Sequence, residues 1–189
     1  MKHYGAIRSV LFLSSEEVRM KFQQATLSDL PRLTKIMTEA IELLKKQGSP
    51  QWQNGHGPTA EKLTEDIQKH RTYILKTADD EIAGTIALIP GIDPAYTAIT
   101  EGKWQGDAKY LAFHKVAINQ QFRGQKIAAK LLEAAVHEAI NLGIQDLRID
   151  THELNLGMQK VIKETGFDYC GVVHFPIPDG QRLAYQKIV

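Results

Sequence analysis

Residues 116–132 read VAINQQFRGQKIAAKLL, a strand pattern that passes through a short glycine-containing turn into an amphipathic helix. Alternate residues of the segment 110–118 share one face, which predicts a strand. Apolar residues then recur at spacings of three and four over 127–139, so the helix is expected to begin close to Gly124. The residues predicted to share the strand face are Ala112, His114, Val116 and Ile118.

The start of this helix is a predicted anion-binding site. The first N–H groups of a helix have no intrahelical acceptor and lie at the positive end of the helix dipole, and Gly124 lets the backbone approach a ligand closely. The turn has neither the Gly-Lys-Ser/Thr end of a Walker loop nor the G-x-G-x-x-G of a dinucleotide-binding loop. Those two nucleotide-binding motifs are therefore excluded here.

The strand, the turn Arg123–Ala128 and the apolar helix together resemble motif A of the GNAT acetyltransferase superfamily, which holds the pyrophosphate of acetyl-CoA. Arg123 and Ala128 match the ends of the pattern Arg/Gln-x-x-Gly-x-Gly/Ala, whereas Lys126 replaces its glycine at the fourth position. We expect the lysine to be tolerated, because a residue inside the first helical turn needs no positive φ and a lysine adds charge beside phosphate. The resemblance implies acetyl-CoA as co-substrate, bound by Val116, Ala117, Ile118, Arg123, Gly124, Gln125, Lys126, Ile127, Ala128 and Asn155.

A second segment carries the same resemblance. Residues 147–173 read LRIDTHELNLGMQKVIKETGFDYCGVV, a strand, a turn, a helix, Gly-Phe and a further strand. In the GNAT family a strand is followed by an Asn-led helix that ends in Gly-Phe, and Asn155, Gly166 and Phe167 fall at the matching spacing. Many relatives carry a tyrosine on this helix as general acid for the departing thiolate, but Ile162 occupies that position here.

The resemblance covers most of the chain and implies one α/β (α+β) domain over 20–189, with a central, twisted, mixed sheet of six to seven strands and about four helices. Outside the two motifs, the pattern predicts a first strand over 22–26 and a helix that runs from a cap at Ser28 or Asp29 to about Lys46. A second helix is expected to follow Thr59, and then a hairpin. The irregular stretch 90–107 is a candidate wall of the acceptor site. Residues 1–19 are interpreted as an extension, either disordered or packed on the surface.

Composition narrows the function classes. The 23 Lys and Arg residues nearly balance the 22 Asp and Glu residues, which argues against nucleic-acid binding. The apolar run of residues 10–13 is too short for a signal core or a membrane span, so no membrane association is expected. The one cysteine, Cys170, cannot form an internal disulfide, which favours a reducing compartment and hence the cytoplasm. Either a monomer or a homodimer is compatible with the sequence.

Two functions follow from the resemblance. The first is an N-acetyltransferase that transfers the acetyl group of acetyl-CoA to a primary amine of a small molecule or protein, by direct attack in a ternary complex. Such an enzyme must deliver a neutral amine, and backbone N–H groups of Val116–Ile118 are candidate oxyanion donors. The alternative is a noncatalytic acyl-CoA-binding module, which the isoleucine at position 162 favours. The acceptor amine is not identified by any sequence feature.

Two histidines are candidate catalytic bases. His114 is the first choice, because it precedes the cofactor-binding strand residues, although a histidine in a half-buried strand also suits a core role. His152 follows the strand 147–151 at the edge where α/β sheets bind ligands, yet it can equally cap the next helix. Trp52, in the loop after the first helix, is a candidate acceptor-site residue. No ligand cluster for a metal is expected.

Overall fold

The computed structural model describes residues 11–13, 20–106 and 109–189. Within these residues, one sheet contains the strands β1 Leu11–Leu13, β2 Met20–Gln24, β3 Thr72–Lys76, β4 Ile82–Pro90, β5 Tyr110–Ile118, β6 Asp146–Thr151, β7 Asp168–His174 and β8 Gln181–Ile188. The α-helices are α1 Leu30–Lys46, α2 Ala60–Gln68, α3 Ile127–Asn141 and α4 Leu156–Glu164. The predicted single domain with a mixed sheet and four helices is confirmed.

The sheet opens between two neighbouring strands. Its strand order is β1-β2-β3-β4-β5-β6-β8-β7, and β5 and β6 are its parallel pair among the described strands. Their pairing begins at Tyr110 and Asp146 and ends at Phe113 and Ile149, although β5 continues to Ile118. The two strands therefore diverge toward their carboxyl ends, where parallel α/β sheets commonly bind ligands.

Helices cover both faces of the sheet. On one face, the core beneath α3 and α4 includes Leu131, Ile162 and the strand residue Phe113. On the other face, α1 and α2 contribute Ile36 and Leu63 to a second core. Burying an apolar stripe of each helix against the sheet removes its apolar side chains from water, and the sheet is held between two layers.

Local sequence signals set the helix boundaries. The N–H of Thr26 donates to Asp29 Oδ2 at 2.8 Å in the short 3-10 turn that leads into α1. The α1 helix ends at Lys46, as predicted, and Gly48 follows with a φ of +75°. At α2, the Thr59 hydroxyl accepts from the Lys62 N–H at 3.3 Å and caps the helix.

A β-bulge in β5 contradicts the predicted strand face. Thr85 of β4 pairs with Ala117 but Ala87 pairs with His114, so β5 holds one extra residue, and Lys115 has a φ of +54°. Val116 and Ile118 pack against the core beneath α3, on the side of Leu111 and Phe113. His114 instead contacts Tyr96, on the opposite face. The expectation that His114 shares a face with Val116 and Ile118 is therefore wrong, because the extra residue reverses the alternation.

The N-terminal segment adds a strand that the sequence pattern did not predict. Leu11–Leu13 pairs antiparallel with β2, which makes eight strands among the described residues rather than six to seven. The other residues of the predicted extension lie outside the described residues, and the domain boundary at residue 20 stays a prediction. Among the described residues, no helix has the length and apolar character that a membrane crossing requires.

Candidate active site

The turn between β5 and α3 has the backbone geometry of an anion cradle. Gly124 has a φ of +81°, and Lys126, the residue before α3, has a φ of +56°. The helix begins at Ile127, close to Gly124 as predicted, and Lys126 is its N-cap. The expectation that Lys126 needs no positive φ is therefore wrong: the lysine lies outside the helix, in the left-handed conformation for which the family glycine is suited.

The first amides of α3 are available to a ligand. The first helical bond runs from the Lys130 N–H to the Lys126 carbonyl at 3.1 Å. Within the part of the chain that the structure describes, the N–H groups of Ile127, Ala128 and Ala129 donate to no other group. Three free donors at the positive end of a 15-residue helix suit a phosphate group.

A cavity of about 1130 Å³ extends from this turn across the gap between β5 and β6. Its walls come from β5, α4, the loop between α1 and α2, and the hairpin of β7 and β8. Most of the predicted site residues line it, namely Trp52, His114, Val116, Ala117, Ile118, Arg123, Gly124, Lys126, Ile127, Ala128 and Asn155. Gln125 and His152 do not line it.

His114 belongs to a polar cluster in this cavity. Its Nε2 lies 2.9 Å from Asp93 Oδ2, and its Nδ1 lies 3.7 Å from Asp150 Oδ1. The Tyr96 hydroxyl donates to Asp150 Oδ1 at 2.7 Å. Burial raises the pKa of Tyr96 well above its usual value, so the phenol keeps the proton that it donates.

The two carboxyl groups beside His114 titrate differently. Burial acts to raise the pKa of Asp93, but the hydrogen bond and charge of His114 outweigh it and lower that pKa. At Asp150, burial prevails and raises the pKa. Asp93 is therefore ionised at neutral pH and can only accept, so Nε2 of His114 is the donor in this hydrogen bond and Nδ1 is the ring nitrogen left to accept a proton.

His152 lies in a different environment. It lines a separate cavity of about 320 Å³ with residues of the β7–β8 hairpin. The ring Nδ1 of His152 accepts from the Leu154 N–H at 3.1 Å, and the backbone N–H of His152 donates to Gln51 Oε1 at 3.3 Å. Burial, and next the charge of Arg182, lower the pKa of the imidazole. These contacts hold the turn between β6 and α4.

The helix α4 supplies no acid at the position of the family tyrosine. Ile162 is completely buried in the core beneath α3 and does not line the cavity. Asn155 caps α4, since its Oδ1 accepts from the Met158 N–H at 3.2 Å. Its Nδ2 donates to Gln51 Oε1 at 3.3 Å, which joins α4 to the loop after α1.

Thr151, which lines the same cavity, has a buried hydroxyl without a partner among the described residues. The side chain is only 1% exposed, and its Oγ1 makes no hydrogen bond within the described residues. Thr151 ends β6 and lines the cavity. A buried hydroxyl of this kind is costly unless a ligand bonds to it.

Sequence reasoning missed three charged residues of the cavity. Asp93, Asp150 and Arg182 all line it, and no sequence motif identifies any of them. Asp93 precedes a proline and accepts from the Ala95 N–H at 2.9 Å, so its sequence signal is that of an ordinary cap. An aspartate within the apolar strand of residues 147–151 was the one available signal for Asp150.

Two other residues that the sequence analysis singled out have surroundings that suit a structural role. Trp52 lines the cavity and also packs against the core beneath α1 and α2. Cys170 is buried, and burial raises the pKa of its thiol, which opposes formation of a reactive thiolate. The described residues contain no group of three or more metal-ligating side chains that could hold a metal ion.

The chain is similar to known proteins over most of its length. The model of the acetyltransferase (GNAT) family matches residues 34–167. A curated relative, the uncharacterized N-acetyltransferase YesJ of Bacillus subtilis (strain 168), is 27% identical over 151 residues, which cover 78% of this chain and 81% of the relative.

Solved structures share the fold. A GNAT-family acetyltransferase of Streptococcus agalactiae 2603 is 34% identical with a TM-score of 0.85, over 96% of this chain and 99% of that protein. A GNAT-family acetyltransferase of Listeria monocytogenes 4b F2365 is 19% identical with a TM-score of 0.74, over 95% of this chain and 100% of that protein. At that lower identity the similarity shows the fold alone.

Proposed function

The chain belongs to the GNAT acetyltransferase family, and from this membership we propose that it transfers an acetyl group from acetyl-CoA to a primary amine by direct attack in a ternary complex. The observation that carries the proposal is one continuous cavity that joins the anion-binding turn to the His114–Asp93 pair. A donor held at the turn and an amine beside His114 would meet in the gap between β5 and β6. This proximity is what acyl transfer between two substrates needs.

The turn residues suit the phosphates of acetyl-CoA. The free N–H groups of Ile127, Ala128 and Ala129 would donate to phosphate oxygens, and the exposed side chains of Arg123 and Lys126 add positive charge. We infer that the backbone of Val116–Ile118, which lines the cavity beside the bulge, positions the acetyl end.

In the proposed reaction a side chain of the protein accepts one proton from the amine. Acetyl-CoA supplies the acetyl group as a thioester: the amine nitrogen bonds to the carbonyl carbon, the carbon–sulfur bond breaks, and the thiol of CoA is released. An acceptor that binds as the ammonium gives one proton to His114 Nδ1 before it attacks, and Asp93 holds the ring through Nε2. The second proton, which the nitrogen loses as the amide forms, goes to the departing thiolate. A thiolate is a weak base and can leave without a proton. The reaction therefore depends less on a general acid for the thiolate than on a general base for the amine. The isoleucine at position 162 is thus compatible with turnover.

An acyl-CoA-binding module without catalysis is the second candidate, since Ile162 replaces the family's acid. The His114–Asp93 pair favours the enzyme, because a module that only binds has no use for an oriented imidazole in its cavity. The two candidates differ in thiol release. We expect purified protein to release free thiol from acetyl-CoA above the buffer rate with members of a primary-amine library, whereas a module binds acetyl-CoA and releases none.

The role of His114 is tested by substitution. We expect His114→Ala to lower kcat/KM by about a hundredfold or more, to remove the pH dependence that a titrating imidazole gives the rate, and to leave the affinity for acetyl-CoA unchanged. His152→Ala is the matched control, and its expected effect is a lower Tm with an unaltered pH profile. A His114→Ala protein that keeps both its rate and its pH profile would place the base elsewhere.

The proposals for compartment and assembly state come from the sequence rather than from the structure. We keep the cytoplasm as the proposed location on the ground of the single cysteine. A monomer or homodimer stays a prediction.

A further inference from the structure

Arg182 is a buried cation on the wall of the main cavity. It lies at the start of β8, lines the cavity with Asp150, and is only 5% exposed. Its side chain belongs to the sheet face of Ala184, two residues along the strand, which is also the face where His114 contacts Tyr96. Arg182 therefore faces the part of the cavity that holds the proposed base.

Among the residues that the structure describes, the Arg182 guanidinium has no carboxylate partner. Its Nη1 donates to the carbonyl oxygens of Asp179 at 2.6 Å and of Gln181 at 2.7 Å, and both acceptors are neutral. Across the described residues, no carboxylate oxygen lies within 4.0 Å of this side chain. Arg148, which is also 5% exposed, shows the usual solution: its Nε and Nη2 donate to the two oxygens of Asp146 at 3.1 and 2.7 Å.

A buried charge without an oppositely charged partner destabilises the folded protein. Burial lowers the pKa of Arg182, and the charges of Asp150 and Asp179 only partly oppose that effect. An anion that entered the cavity would complete the pairing, since the planar guanidinium offers two parallel N–H donors to a carboxylate. The Nη1 contacts to backbone carbonyls hold the guanidinium in place before such an anion arrives.

The same part of the cavity also suits an amine. Asp93 and Asp150 flank His114, so a protonated amine is attracted there before His114 takes its proton. The two carboxylates also limit the charge of the anion that Arg182 can hold. A dianionic phosphate beside Asp93 and Asp150 would be repelled more strongly than a singly charged carboxylate.

We propose that the acceptor is an amino acid or a related aminocarboxylate, whose carboxylate pairs with Arg182 while its amine lies beside His114. This inference rests on the proposed function and specifies its acceptor. The positive guanidinium and the negative carboxyl groups match the two ends of a zwitterion. The ring of Phe175, whose centroid lies 5.9 Å from the guanidinium carbon, covers the anionic subsite with an apolar surface.

Matched acceptor pairs test the proposal. Each amino acid is assayed against its own carboxamide and its own aminophosphonate, with free thiol as the readout and the buffer rate subtracted. We expect the wild-type kcat/KM for the carboxylate to exceed that for the carboxamide by at least tenfold, because the carboxamide cannot form the charged pair. Arg182→Gln should bring this ratio close to one, and Arg182→Lys should keep part of it.

The control is Lys187→Gln. Lys187 lies on the same strand and donates to the Thr165 carbonyl at 2.7 Å, but it does not line the cavity. We expect this variant to keep the wild-type carboxylate preference. Because the ratio of two acceptors does not depend on the folded fraction, partial unfolding of an Arg182 variant leaves the test valid.

The outcomes separate this inference from the proposed function. A carboxylate preference that survives in Arg182→Gln overturns the role of Arg182. Equal turnover of carboxamides by the wild type, or a preference for the phosphonates, overturns the acceptor class while the acetyltransferase proposal stands. If none of the amines tested gives thiol release above the buffer rate, the proposed function itself is contradicted.

Discussion

At the residue scale, the buried hydroxyl of Thr151 links stability to activity. Because its Oγ1 has no partner among the described residues, the free protein leaves a polar group unsatisfied in the cavity wall. We expect Thr151→Val to raise Tm, since removing an unsatisfied buried hydroxyl recovers about 1–3 kcal/mol at most. If a bound acetyl donor accepts from this hydroxyl, kcat/KM falls by roughly threefold to tenfold, which corresponds to one neutral hydrogen bond.

Thr72 provides the matched control for this prediction. Its Oγ1 is the other buried side-chain atom without a partner among the described residues, and it does not line the cavity. Thr72→Val should therefore gain stability without any loss of rate. If Thr151→Val instead lowers Tm and keeps the full rate, the hydroxyl has a structural partner and no part in acyl transfer.

Asp150 should make stability depend on pH. Burial raises its pKa, and the charge of His114 only partly offsets that effect. A carboxyl group whose pKa is higher in the folded protein stabilises the fold below the unfolded value of about 3.9, and this contribution is lost as pH rises through the folded pKa. We expect Asp150→Asn, which keeps an acceptor for the Tyr96 hydroxyl, to have the higher Tm at neutral pH.

Thermal unfolding of wild type and Asp150→Asn as a function of pH checks this expectation. The difference in Tm should close as the pH approaches about 4, where the wild-type carboxyl is protonated as well. A variant that is less stable than wild type at neutral pH would show that the negative charge of Asp150 stabilises its neighbours by more than its burial costs.

The sequence predicted the backbone of the candidate site better than its charges. Gly124 and Asn155 could be found because each belongs to a motif with fixed spacing around a turn or a helix start. Asp93, Asp150 and Arg182 come from three distant segments, and only the folded sheet brings them to one cavity. A pattern of neighbouring residues carries no information on such long-range pairing.

At the element scale, the bulge in β5 explains why strand alternation failed. Period two assigns faces correctly only while the backbone is regular, and Lys115, with a φ of +54°, adds a residue that reverses the alternation. Lysine is not a residue that signals a positive φ, so no sequence feature marked the bulge. The bulge still brings His114 into the cavity, on the face opposite to Val116.

The start of α3 gives a second prediction at this scale. Lys126 has a φ of +56°, which costs an L-residue about 1–2 kcal/mol, whereas glycine adopts it freely but gains about 0.4–1 kcal/mol of entropy in the unfolded chain. We expect Lys126→Gly to stabilise the protein by about 0.5–1 kcal/mol. Thermal unfolding measures this, with Lys126→Ala as the control that loses the charge and keeps the strain.

The same variant tests how the turn holds phosphate. Lys126 is exposed, so its ammonium is expected to contribute less than about 1 kcal/mol to acetyl-CoA binding. Calorimetry on Lys126→Gly should show an affinity within about fivefold of wild type. A hundredfold loss would mean that the side chain, rather than the helix amides, is the main phosphate ligand.

At the scale of the whole molecule, one continuous sheet contains the opening in which the cavity lies. The divergence of β5 and β6 beyond Phe113 and Ile149 leaves a cavity that both helical layers line. The order of strands and helices followed from the sequence, because each element has its own period and caps. The added strand β1 did not, since three residues are too few to show a period.

A ligand that spans this opening should stabilise the whole fold. A compound that binds only the folded state contributes about 2.7 kcal/mol at a hundred times its Kd, and about 2–4 °C in Tm per kcal/mol applies to a chain of this size. We therefore expect acetyl-CoA at that concentration to raise Tm by roughly 5–10 °C. Gly124→Pro should abolish this shift, because proline fixes φ near −65° where the turn has +81° and also removes an amide. Gly143→Pro is the control: Gly143 has a φ of +72° in the turn after α3, outside the cavity, so its variant should lose Tm but keep the shift with acetyl-CoA. An undiminished shift in Gly124→Pro would mean that the donor binds elsewhere on the molecule.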